Sequence, residues 1–215
     1  MSTKHKVFNL IILDESGSMA SIKDYIISGF NELVQTIKGL AQKYPDQDHV
    51  ISLITFNELK IKTLLDLEPV DKLDPLDSTK FKPDSMTPLY DAMGLSISRL
   101  RKVTDLISDY NVLVTILTDG QENASKEFNK SNIKTIVEDL KEHNWIFTYI
   151  GANHDVLEAA HGIGIDNTMH FVAGEKSINA MWSKEKRFRE HLSGKIDRDE
   201  SLQGNLYTES EKDEL

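Results

Sequence analysis

With 215 residues and 39% hydrophobic content, the chain has enough material for one core of ordinary size and a short extension. Its 25 basic against 35 acidic side chains leave a formal charge of −10, the wrong sign for a surface that grips nucleic-acid phosphates. Cysteine is absent, which excludes disulfides and thiolate metal sites, leaves oxygen or histidine as metal ligands, and suits a cytoplasmic setting.

The opening MSTKHK leads into an apolar run at residues 7–13. Asn9 interrupts it and no small-residue cleavage site follows, so it reads as a first strand and not as an export leader. No apolar run reaches the roughly 18 residues that crossing a bilayer takes. The run empties into Asp14, Ser16 and Ser18, three small oxygen-bearing side chains on the turn that leaves a buried strand. Such residues suit a hard cation, since Mg²⁺ takes oxygen ligands in near-octahedral geometry at about 2.0 to 2.1 Å, and a rigid strand end can supply it. Taken alone they serve equally well as helix N-caps. A helix does follow: Ile22, Ile26, Phe30, Leu33, Ile37 and Leu40 fall on one face.

Residues 50–56 form a second buried strand, and 60–67 (KIKTLLDL) look like its hairpin partner at a sheet edge. The stretch 68–88 holds four of the five prolines and reads as a long loop over the rim that carries Asp14; such loops are usually functional. It delivers Thr87, with Pro88 suited to a first helical position, and Leu89, Met93, Ile97 and Leu100 then mark a helix face. Strand 112–118 runs into Asp119 and Gly120. Beyond it come a helix at 132–143, a strand at 145–150, a short helix at 155–161 and a weaker strand at 169–172. Ile178, Met181, Trp182, Phe188 and Leu192 mark an amphipathic helix that completes the core. The expected domain is residues 1–193. The remaining 194–215, with three basic against seven acidic side chains, reads as a flexible acidic tail. The terminal KDEL matches a retrieval address, a chance match where no entry signal is present.

Strands that are continuously apolar and alternate with helices predict an α/β, doubly wound, mostly parallel central sheet of Rossmann-like form. Helices cover both faces, and one short antiparallel strand lies at the edge. Ligands of such folds sit at the carboxyl ends of the strands, where Asp14 and Asp119 both lie.

Asp14-x-Ser16-x-Ser18, then Thr87 in SMTPLYDAMG, then Asp119 in VLVTILTDGQENAS: this ordered set resembles the von Willebrand factor A domain family, over about residues 7–172, with its metal-ion-dependent adhesion site. The resemblance implies an intracellular, bacterial-type member that binds Mg²⁺ (or Mn²⁺) through these five residues. It also implies that the two acids act partly through water or by orienting the hydroxyls. An ion so weakly neutralised would capture a Glu or Asp carboxylate from a protein partner, making the chain a non-enzymatic interaction module or adaptor that engages neither nucleic acid nor membrane. Met19, Met86, Gln121 and Asn123 are the rim residues expected to touch that partner. Asp91, one turn beyond Thr87, is expected to support the loop or to cap. His154 and His161, lacking a third ligand, are expected on the surface or in packing. The alternative is a Mg²⁺-dependent phosphohydrolase with Asp14 as nucleophile, although Ser16 stands where that chemistry wants a second acid. Neither phosphate-binding glycine motif is present.

Overall fold

The computed structural model describes residues 4–202, 204, 206 and 207. The first apolar run forms β1 (His5–Asp14), interior to the sheet: β2 (Gln47–Asn57) pairs with it in parallel on one side and β4 (Tyr110–Thr118) in parallel on the other. Neighbours on both edges and both faces explain why the run is apolar apart from Asn9 and does not alternate. With β3 (Lys60–Pro69), β5 (Trp145–Gly151) and β6 (Asn167–His170) the strand order is β3-β2-β1-β4-β5-β6, all parallel except β3, which folds back against β2.

Helices α1 (Lys23–Lys43) and α5 (Glu175–Asp197) cover one face, against Ile11, Leu13, Ile51, Leu53 and Leu113. Helices α2 (Leu89–Thr104), α3 (Lys130–Lys141) and α4 (Val156–His161) cover the other, against Phe8, Leu10, Ile12, Val114 and Phe147. The doubly wound sheet read from the strand and helix pattern is therefore the fold found. None of the helices among the described residues is long and apolar enough to cross a membrane.

Some boundaries move. Helix α3 starts earlier than expected because Asn129 accepts from the Asn132 amide and Asn132 returns the bond, capping it in register. Strand β6 lies two residues before its expected place, where Asn167 pairs with Thr148 of β5. Helix α5 continues past residue 193 to Asp197. In the segment expected to be a loose tail, Leu206 and Tyr207 are buried. The Tyr207 ring lies 4.5 Å from that of Phe188, and its hydroxyl donates to Glu185 Oε2 at 2.6 Å. The KDEL terminus lies outside the described residues.

That last contact belongs to a polar cluster between the sheet and α5. Arg189, fully buried, donates to Glu185 Oε1 (2.9 Å), Asn9 Oδ1 (2.6 Å) and Thr115 Oγ1 (2.9 Å), while Thr115 also donates to Glu185. Asn9, the residue that breaks the first apolar run, is thus the β1 contribution to a buried ion-pair network.

The chain leaves β1 toward β2 and later returns to β4 on its other side. The sheet's direction of winding reverses between β1 and β4, opening a crevice at their carboxyl ends. Asp14 ends β1 and Asp119 follows β4.

Candidate metal centre

The turn after β1 begins with Asp14, fully buried, whose Oδ1 accepts from the Ser16 amide at 2.7 Å and whose Oδ2 accepts from Thr118 Oγ1 at 2.6 Å. Ser16 leads into a 3-10 turn, Gly17–Ile22, and its hydroxyl lies 3.2 Å from Ser18 Oγ. Ser18 in turn donates to Asp119 Oδ1 at 2.6 Å. Thr87 approaches from the loop before α2. A β-carbon built at Gly120 would stand 3.5 Å from Thr87 Oγ1 and 4.0 Å from Ser18 Oγ. The five residues picked out by pattern are therefore gathered at one place, with Gly120 leaving open the space that a side chain would fill.

The helix-cap alternative fails here. Ser16 makes no capping bond, and the N-cap positions of α1 and α2 are Ile22 and Pro88. Burial, the largest influence, pushes the Asp14 carboxyl up to about 6 against the lowering effect of Thr118 and Ser16, and the nearby Asp119 charge adds to the rise. Burial likewise raises Asp119, opposed by the Ser18 hydrogen bond. Both acids thus sit where a cation would favour their charged form. Two carboxylates and three hydroxyls are hard oxygen donors, a set that fits Mg²⁺ or Mn²⁺ and not a soft metal. No group of three or more His, Cys, Asp or Glu able to hold a metal ion occurs among the described residues, so an ion here would depend on the hydroxyls.

The rim residues divide. Met86 is 44% exposed and Gln121 is exposed, so both side chains reach solvent. Met19 is a correction: its side chain is 0% exposed, because the 3-10 turn directs it into the α1 side of the core. Asn123 has a structural task, since its Oδ1 accepts from the Thr87 amide (2.8 Å) and its own amide donates to the Thr87 carbonyl (3.1 Å). His154 packs edge-on against Tyr149 and bonds its hydroxyl, and His161 closes α4 on the surface.

The loop beyond Asp119 is tied down by two acids. Glu122 accepts from the amides of Tyr90, Ala124 and Ser125 and from the Ser125 hydroxyl. Asp91 accepts from the amides of Lys126, Glu127 and Phe128, so it holds the segment before α3. Sequence reading missed Thr118, although its place one residue before Asp119 at the same strand end was a usable signal. It also missed Glu15 and its partner Lys62, which no local pattern joins.

Comparison with known proteins bears on the fold and the family. A search of curated proteins finds no match. Among solved structures, the chain is similar to the PilB minor pilin of Streptococcus sanguinis (TM-score 0.58, 13% identity, 91% of this chain and 64% of that one). It is also similar to a von Willebrand factor type A protein from Catenulispora acidiphila (0.55, 14%, 90% and 43%) and to the SpRpn10 VWA domain (0.52, 12%, 83% and 94%). At these identities the likeness is one of fold, and the chain spans only 46% of a further neighbour, the mussel byssus proximal thread matrix protein 1. The family model for the von Willebrand factor type A domain matches residues 10–182. The chain, matched over most of its length, belongs to the von Willebrand factor type A domain family.

Proposed function

We propose that this domain binds Mg²⁺ or Mn²⁺ at Asp14, Ser16, Ser18, Thr87 and Asp119 and uses the ion to capture a Glu or Asp carboxylate of a protein partner. The observation that carries the reading is the convergence of three hydroxyls with only two carboxylates at an opening floored by Gly120. A divalent ion held there keeps most of its charge and supplies electrophilic attraction for an outside carboxylate. Domains of this family commonly serve as protein-interaction modules. The PilB minor pilin and the SpRpn10 VWA domain are built on the same fold.

A nucleophilic Asp14 is disfavoured because Ser16, two positions on, stands where that chemistry wants a second acid. The test is calorimetric titration of Mg²⁺ and Mn²⁺ into wild type, Asp119→Ala and Thr87→Ala, joined to partner capture with and without EDTA. Binding by wild type, sharply weakened in both variants, and capture abolished by EDTA are the expected results. Metal-independent capture, or Mg²⁺-dependent phosphatase turnover that Asp14→Asn abolishes, would replace this reading.

A further inference from the structure

We propose that Glu15, between Asp14 and Ser16, is a positioning residue for the metal centre: with Lys62 it fixes the segment 82–87, and so Thr87, beside the β1 turn. The inference rests on the metal reading above.

The strand direction that aims Asp14 at the crevice turns Glu15 away from it, toward β2, β3 and the incoming loop. Glu15 is 0% exposed. Its Oε1 accepts from the Lys82 amide at 2.5 Å, and both carboxylate oxygens accept from Lys62 Nζ at 2.7 Å. Its backbone carbonyl accepts from the Asp84 amide at 2.9 Å, and its amide donates to the Phe56 carbonyl at 2.8 Å. One residue therefore binds the loop at two points while anchored to β2. Two further contacts continue the seam: the Gly17 amide donates to the Ser85 carbonyl (3.0 Å) and the Glu58 amide to that of Met86 (2.9 Å).

Residues 73–88 contain no helix or strand, so nothing in their own backbone pairing sets where Thr87 goes. Ser85 adopts φ 67°, a conformation that a side-chain-bearing residue keeps only when its surroundings impose it. Gly17 and Glu58 hold Ser85 itself, through the Gly17 amide and the Ser85 hydroxyl, Glu15 fixes the residues just before it, and Asn123 holds Thr87 from the other side. A buried ion pair is a poor source of stability compared with apolar packing, so its value here lies in fixing geometry. Lys62 reaches it from β3, which gives that edge strand a part in the site; its side chain remains 25% exposed, so replacing it disturbs no core.

The experiment is Mn²⁺ titration of the purified chain, well below its melting temperature, for wild type, Glu15→Gln and Lys62→Met. Thermal melts and the Mn²⁺ electron paramagnetic resonance spectrum are recorded alongside. Groups that orient metal ligands typically cost 10–100-fold in affinity when removed, so each variant is expected to bind Mn²⁺ about 10-fold more weakly and with an altered spectrum while still folded. Lys62→Met separates positioning from charge, because it keeps the Glu15 carboxylate and removes a nearby positive charge. If Glu15 acted only by attracting the ion, Lys62→Met would bind Mn²⁺ more tightly. Unchanged or tighter binding by Lys62→Met overturns the inference, as does unchanged binding by Glu15→Gln. If Glu15→Gln fails to fold, Lys62→Met decides alone. Failure of wild type itself to bind Mn²⁺ overturns the metal reading instead.

Discussion

Burial acts in opposite senses on Asp14 and on His49, which lies on neighbouring β2. Around His49, desolvation first and then the Arg189 charge push the imidazole down to about 4 from an ordinary 6.5, against the opposing pull of Asp48; His5 adds a smaller lowering. Its Nε2 lies 3.2 Å from Gln47 Oε1, and its Nδ1 is buried without a hydrogen-bond partner. The folded chain therefore holds fewer protons than the unfolded chain between pH 6.5 and about 4. The neutral imidazole's contribution is complete above pH 6.5 and is lost as the pH falls through about 4, a swing of about 3 kcal/mol at the usual 1.4 kcal/mol per unit. Urea unfolding from pH 7 to pH 4 is expected to show this loss, and His49→Gln to flatten it. An equal slope in both proteins would place the acid sensitivity elsewhere. At this scale the site was only half legible. Asp14, Ser16, Ser18, Thr87 and Asp119 stand out because small oxygen-bearing residues follow apolar runs. Glu15 looks like any surface acid until the loop that covers it is placed.

Among the elements, α5 differs most from its appearance in sequence. Its apolar positions mark the face that meets the core, yet within the charged run SKEKRFREH Glu185 and Arg189, one turn apart, also point into the sheet. The signal lay in other elements: Asn9, Thr115 and Thr148 place polar groups inside strands that are otherwise apolar, and only pairing in space joins them to the helix. Periodicity, being local, recovers the helices and strands but not such a network. Breaking a buried pair by removing one partner costs about 3–5 kcal/mol. Arg189→Met is thus expected to be strongly destabilising in chemical denaturation, and Glu185→Leu added to it to recover much of the loss. The same helix meets α1 where Gly29 admits Trp182, since a β-carbon there would lie 1.8 Å from the indole Nε1. Overpacking of this kind costs typically about 1–3 kcal/mol. Gly29→Ala is expected to lower the melting temperature, and an unchanged value would show that α5 shifts freely on α1.

For the molecule as a whole, the proposed metal site would link ion binding to folding. An ion that binds only the folded chain stabilises it by about 2.7 kcal/mol at 100 times its dissociation constant. For a domain of this size that is a rise of about 5–10 °C in melting temperature. Mg²⁺ is expected to produce this rise in wild type and none in Asp14→Ala, whose metal-free melting is expected to stay close to wild type, since the substitution removes a buried charge. Thermal scans over a Mg²⁺ series read both. The architecture itself was legible almost entire, since continuous strands alternating with amphipathic helices admit few other arrangements. The docking of Leu206 and Tyr207 was hidden by the acidic residues around them.

Glu122 and Asp91 accept five hydrogen bonds from the backbone of the loop beyond Asp119, and Asn123 joins that loop to Thr87. The crevice mouth is therefore set before anything arrives. On the proposed reading, a visiting carboxylate would meet a surface whose conformational entropy was surrendered when the chain folded. The ordering cost of such an association would fall on the visitor, and complex formation would be rigid docking on this side of the interface.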